Sequence, residues 1–145
     1  VLLLCLRIIA SFCGVFGFSI MFNSTIPMAA IAALIGAVAN TFRLELIDFT
    51  GMPPAAAAFI GALSAGLLAS EIKKNNGYPR ISLTVPSIVI MVPGLYLYRA
   101  IYNFGIMSLT EAVSWFTSAI MIIIMLPLGL IFARILTDRA FRFCT

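Results

Sequence analysis

The chain has 145 residues, 63% of them hydrophobic and 10% charged, with nine Lys and Arg against five Asp and Glu and no histidine. Its mean hydropathy is +1.15, whereas soluble domains are about 45–50% apolar and about 25% charged. There is too little polar surface for a water-facing globule, and the sequence reads as an integral membrane protein. A span takes roughly 20 residues to cross about 30 Å of hydrocarbon. The length therefore holds about five crossings in a single polytopic membrane domain, residues 1–145, with no room for a sizeable soluble domain.

The spans are predicted at roughly 2–22, 28–47, 54–72, 83–104 and 112–134, an all-α architecture. The first, "VLLLCLRIIASFCGVFGFS", lacks a basic region ahead of its apolar run and a small-x-small cleavage site, so it reads as a transmembrane helix and not a secretory signal. Val1 in place of Met suggests a trimmed start. Cys5, Cys13 and Cys144 are an odd set and form no disulfide framework; they read as small packing residues. Arg7 is expected to snorkel outward. Gly14 and Gly17 loosen the helix or admit a neighbour, and Asn23 caps it or points into a cavity. The turn "NSTIP" leads to a second span with Ala32, Gly36 and Asn40 on one stripe, ending in "NTFRLELID". Arg43 and Glu45 are two apart and cannot face each other on a helix, so both are expected at the interface, reaching for water.

"DFTGMPP" breaks the chain before the third span, where Ala57, Gly61, Ala65 and Ala69 recur every fourth residue. Small residues let helix backbones approach in a solvent that gives no hydrophobic drive for association. "KKNNGYPR" is the strongly polar loop, and "GIMSLTE" is a short exit with Ser108 or Thr110 as N-cap of the last helix. With five spans, Lys73, Lys74, Arg80, Arg134, Arg139 and Arg142 fall on one side, and Arg7, Arg43 and Arg99 on the other. The positive-inside rule then puts the C-terminus in the cytoplasm and the N-terminus outside. The net charge of +4 is a topology signal, and no nucleic-acid partner is expected.

The fourth span, "VPSIVIMVPGLYLYRAIYNFG", interrupts itself. Pro86 and Pro93 each lack an N–H and clash with the carbonyl four residues back, which frees the carbonyls of Ser82 and Val89 on one helix face. A break is expected at both Pro86 and Pro93-Gly94. Half-helix N-termini of this kind meet anionic substrate groups, and freed carbonyls take cations. Val92, Tyr96, Arg99 and Asn103 share one face beyond the break, and a guanidinium offers a fork of donors to a carboxylate. The candidate substrate-binding set is Asn23, Pro86, Ser87, Pro93, Gly94, Tyr96, Tyr98, Arg99 and Asn103, for a small carboxylate or amino acid; Asn40, Arg43 and Glu45 are further intramembrane polar residues. The competing reading is a plain proline kink, with Arg99 snorkelling and the tyrosines forming an aromatic belt.

"GFSIMFN" and "VPSIVIMVPGLYLYRAIY" together resemble the two signature segments of the threonine/serine exporter family. The likeness is to its C-terminal-type domain, which also occurs as a separate small membrane protein. The core P-x-I-x-x-x-V-P-G-x-x-x-Y-R-A is carried by Pro86, Ile88, Val92, Pro93, Gly94, Tyr98, Arg99 and Ala100. One departure is "STIPMAA", which has no basic residue where members often carry them. The resemblance implies a subunit of a bacterial inner-membrane exporter of small polar metabolites, threonine and serine or a dicarboxylate. It also implies a larger membrane partner like the family's N-terminal domain.

Three other functions bear weighing. A non-transporting assembly subunit would use the Ala/Gly stripes only as scaffold, and a passive channel could line a pore with the broken helix. An intramembrane enzyme is disfavoured: there is no histidine for a serine–histidine dyad, and Asp48 and Asp138 fall on opposite sides. No Cys/His metal spacing exists and no cofactor is expected. So small a chain is not expected to enclose a pathway alone, which leaves a partner or a homo-oligomer to complete it.

Overall fold

The computed structural model describes residues 2–137, without the side chains of Lys74 and Asn76. Sequence expectations for Asp138, Arg139, Arg142 and Cys144 lie outside the described residues. The helices are α1 (Leu2–Met21), α2 (Ile26–Thr50), α3 (Pro54–Asn76), α4 (Arg80–Val89), α5 (Gly94–Gly105) and α6 (Leu109–Thr137), with no strand among the described residues. α4 and α5 together make one crossing, Arg80–Gly105, so the described residues hold five helical spans long and apolar enough to cross a membrane. The helices start and stop within about four residues of the spans expected from the apolar blocks, because Gly and Pro punctuate the ends. Pro27 and Pro54 sit in the first turns of α2 and α3, where a missing N–H costs nothing. Gly51 and Gly77 close those helices in the left-handed region (φ 61° and 70°), donating to the carbonyls of Ile47 and Lys73.

α2 is the inner helix, touching α1, α3 and α4, while α6 lies along α3 and α5. Half of α2's most apolar stretch is buried but only 17% of α1's, so α1 turns most of its side chains to the surroundings. The core is built largely from alanine: Ala32, Ala39, Ala58, Ala62, Ala65 and Ala69 are fully buried beside Leu83, Met91 and Ile122. Both small-residue stripes expected from sequence are contact surfaces, with Ala57, Gly61, Ala65 and Ala69 all buried on α3 and Ala32, Gly36 and Asn40 on α2. A Cβ on Gly36 would come within 3.2 Å of the Ser87 Cα, which measures how closely α4 lies on α2.

One detail of the fourth span is corrected. The helix runs through Pro86, and the break falls only between Val89 and Gly94. The carbonyl that Pro86 leaves without its helical donor belongs to Ser82, near the end of the crossing. It lies beside an open groove of about 210 Å³ lined by Ser82, Val85 and Pro86, where headgroup water can bond it. Pro93 lies near the middle of the crossing, so its defect must be met by protein.

Candidate functional site at the break in the fourth span

The chain negotiates Ile90–Pro93 with a short series of tight turns. The N–H groups of Met91 and Val92 reach the carbonyls of Ile88 and Val89 (2.9 and 3.1 Å), and Gly94 N–H reaches Val92 (2.8 Å). The Val89 carbonyl expected to be free is thus taken up locally. The carbonyl that reaches across the bundle is that of Met91, and its donor is Nη1 of Arg43 at 3.2 Å. Beyond the break, Leu97 N–H closes on Pro93 (3.1 Å). The N–H groups of Leu95 and Tyr96 stand in the first turn of α5, at its positive end.

Arg43 is therefore not the interfacial residue expected from sequence. It is 94% buried, at 6% exposure, and its Nε has no hydrogen-bond partner. Among the described residues no carboxylate lies within ion-pair distance of it. The reason is on the facing helix: a Cβ at Gly61 would lie 3.1 Å from the Arg43 Cβ and 3.4 Å from the Met91 Sδ. This glycine lets α3 press α2 and the break together over the arginine. The Tyr96 phenol lies within electrostatic range of the guanidinium. Glu45, two residues on, turns to α1, where Arg7 bonds it at 3.3 Å and Asp48 at 2.7 Å. Arg7, expected only to snorkel, ties α1 to the end of α2.

The other sequence candidates separate into three groups. Ser87 and Asn40 knit the helices beside the break. The fully buried Ser87 hydroxyl is shared between the carbonyls of Leu83 (2.6 Å) and Ala32 (2.9 Å), and Asn40 Nδ2 donates to Ser11 Oγ (2.9 Å). Tyr96 and Arg99 converge on Trp115 of α6, with Tyr96 5.5 Å from the indole by centroids and the Arg99 guanidinium 4.8 Å over the ring. Arg99 is exposed, as are Tyr98 and Gly94, while Asn103 and Pro93 are buried. Tyr98 stacks on Tyr102 at 6.5 Å. Asn23 stands apart: it is exposed, in the left-handed region (φ 59°), forming the turn after α1. The structure thus brings Ser87, Pro93, Tyr96 and Arg43 around the break and leaves Asn23 outside it.

Met91, Ser11 and Trp115 are not singled out by sequence reasoning, and Gly61 is read there only as one of the small packing residues of the third span. Trp115 is the lone tryptophan of the chain, a weak signal in itself. The other three owe their place to contacts between helices.

A break in mid-span, with a buried cation on a carbonyl at the break and a half-helix N-terminus just beyond it, is the kind of element from which membrane transporters build binding sites. The chain belongs to the threonine/serine exporter family: the family model described as Threonine/Serine exporter, ThrE, matches residues 7–136. That membership gives it a threonine/serine exporter-type role in membrane transport, within a family of transporters. No curated protein and no solved structure matches the chain.

Proposed function

We propose that the chain is a subunit of a bacterial inner-membrane exporter of small polar metabolites, threonine/serine-type amino acids or a small dicarboxylate, and works with a larger membrane subunit. The observation that carries this reading is Arg43. An arginine at depth in a bilayer costs about 3 kcal/mol or more, and a single 3.2 Å bond to a neutral carbonyl offsets only part of that. A carboxylate entering at the break would give the guanidinium the partner it lacks, and the N–H groups of Leu95 and Tyr96 would add donors. The Met91 carbonyl, released from Arg43, would then face the cation or hydroxyl of the same molecule. Arg99, held on Trp115 on the flank of α5, serves in this reading as the outer lip of the site, which holds the carboxylate on its outward side. In the proposed orientation the ends with Lys73, Arg80 and Arg134 lie in the cytoplasm, whereas the opposite end offers Arg7 already paired with Glu45 and Asp48.

Export measured in cells lacking both subunits, and complemented with variants, tests the reading. Arg99→Gln should weaken apparent substrate affinity about tenfold, the worth of one charge-assisted hydrogen bond, with the complex still assembling. Unchanged export and affinity in an assembled complex would remove Arg99 from the site. Gly94→Ala separates motion from packing. A Cβ there meets nothing within 4 Å and the backbone is not left-handed, so folding should be unchanged. If the break has to flex, turnover should fall severalfold with affinity retained; an unaffected turnover would mean the break is rigid during transport.

A further inference from the structure

At the end of the bundle away from Gly51, α3 packs against both α4 and α6 and leaves a groove of about 350 Å³ between them. Each of the three helices contributes a cation to its lining: Lys73 from α3, Arg80 from α4 and Arg134 from the last turn of α6. Arg80 Nη2 reaches the Gly66 carbonyl on the floor at 3.4 Å, holding that guanidinium over the groove. Gly66 lets α6 lie close on α3 beside the groove, since a Cβ on it would strike the Ala133 Cβ at 2.6 Å. Arg80 also opens α4, whose positive N-terminal end has no side-chain cap. Among the described side chains at this end the opposing carboxylate is Glu71, one against three cations. Arg80 and Arg134 also have protein partners; a guanidinium carries five N–H donors, enough to serve a protein acceptor and a phosphate oxygen together.

The walls decide what kind of anion fits. Ile81 is 74% exposed and Ile131 53% exposed, and both line the groove below the cations. An inorganic anion would use the cations and leave this apolar surface idle. A molecule with a phosphate diester at the membrane surface and an acyl chain running inward uses both.

We propose that this groove is a headgroup site for an anionic phospholipid, independent of the transport site at the break. The lipid phosphate sits among Lys73, Arg80 and Arg134, and its acyl chain lies along Ile81 and Ile131. Each cation near an anionic headgroup is worth about fivefold in affinity, so the three together give about a hundredfold preference over zwitterionic lipid.

Native mass spectrometry on the purified full chain, titrated with phosphatidylglycerol or phosphatidylcholine, tests this, with inorganic phosphate as competitor. Phosphatidylglycerol should be retained at least tenfold more tightly, and a combined Lys73→Gln, Arg80→Gln, Arg134→Gln variant should lose the preference. Should that variant fail to fold, Arg134→Gln alone should weaken binding about fivefold. Ile131→Trp, which fills the groove without touching its charge, should weaken it as well. Equal retention of the two lipids would overturn the proposal. So would full displacement by inorganic phosphate, which would mark a soluble-anion site. Phosphatidylglycerol held as tightly by Ile131→Trp as by the parent would also overturn it, since diffuse surface charge, not the groove, would then be holding the lipid.

Discussion

Replacing Arg43 by methionine should cut export about a hundredfold while leaving the bundle at least as heat-stable as the parent. The two halves of that expectation come from different balances. On the stability side, the folded protein holds a guanidinium that is 94% buried, has no carboxylate partner among the described residues and leaves Nε unbonded. Burying such an ion costs several kcal/mol. Its removal leaves the Met91 carbonyl without a donor, a penalty of about 1–3 kcal/mol, and methionine refills most of the volume. The relief matches or exceeds the loss. On the transport side, a carboxylate bound as proposed would lose the one buried cation among the described residues, about 3 kcal/mol, or two decades at 1.4 kcal/mol per decade. Arg43→Lys keeps the charge but not the planar fork, so it should recover part of the activity. Melting followed by fluorescence-detected chromatography, alongside the export assay, reads both. A variant that melts well below the parent yet exports normally would make Arg43 a strut for the break and nothing more.

The sequence made the crossings legible because each is a run of about 20 apolar residues between Gly/Pro punctuation, a rule set by the thickness of hydrocarbon. Pro93-Gly94 was legible for a local reason, since a missing N–H and a ring clash act on the residue's own helix. Pro86 obeys the same chemistry but keeps its helix, because its orphaned carbonyl lies near the end of the crossing beside an open groove. Depth in the membrane, and not the residue, separates the two prolines. Arg43 was misplaced for a complementary reason. Seven residues from the end of α2, it reads on its own helix like a snorkelling side chain. Only the close approach of α3 at Gly61 walls it in, and a contact between helices leaves no mark in either helix's periodicity. The same holds for Arg99 and Trp115, which are sixteen residues apart and meet only because α6 folds back along α5.

Gly129→Leu should prevent α6 from seating on α3, and of the packing substitutions it should be the most damaging. A Cβ at Gly129 would lie 2.6 Å from the Phe59 carbonyl oxygen, 2.9 Å from the Ala62 Cβ and 3.2 Å from the Leu63 nitrogen. Two of these are backbone atoms of α3 and cannot swing aside, so the helices must separate. In a bilayer, where lipid is as apolar as leucine, close packing is a main source of cohesion between helices. Even alanine should cost about 1–3 kcal/mol, and leucine should leave little monodisperse protein after extraction. Gly17→Ala is the matched control, because nothing lies within 4 Å of its added Cβ; its melting temperature should stay at the parent value. If Gly129→Leu melts with the control, α6 does not lie on α3 as described. The consequence reaches the site, because α6 also carries Trp115, on which Arg99 and Tyr96 rest. Gly129→Ala should therefore disturb export through the lip of the site while Arg43 and the break remain intact: affinity falls, as in Arg99→Gln, and turnover at saturating substrate is largely kept. A fall in turnover with affinity unchanged would instead place α6 in the moving part of the carrier.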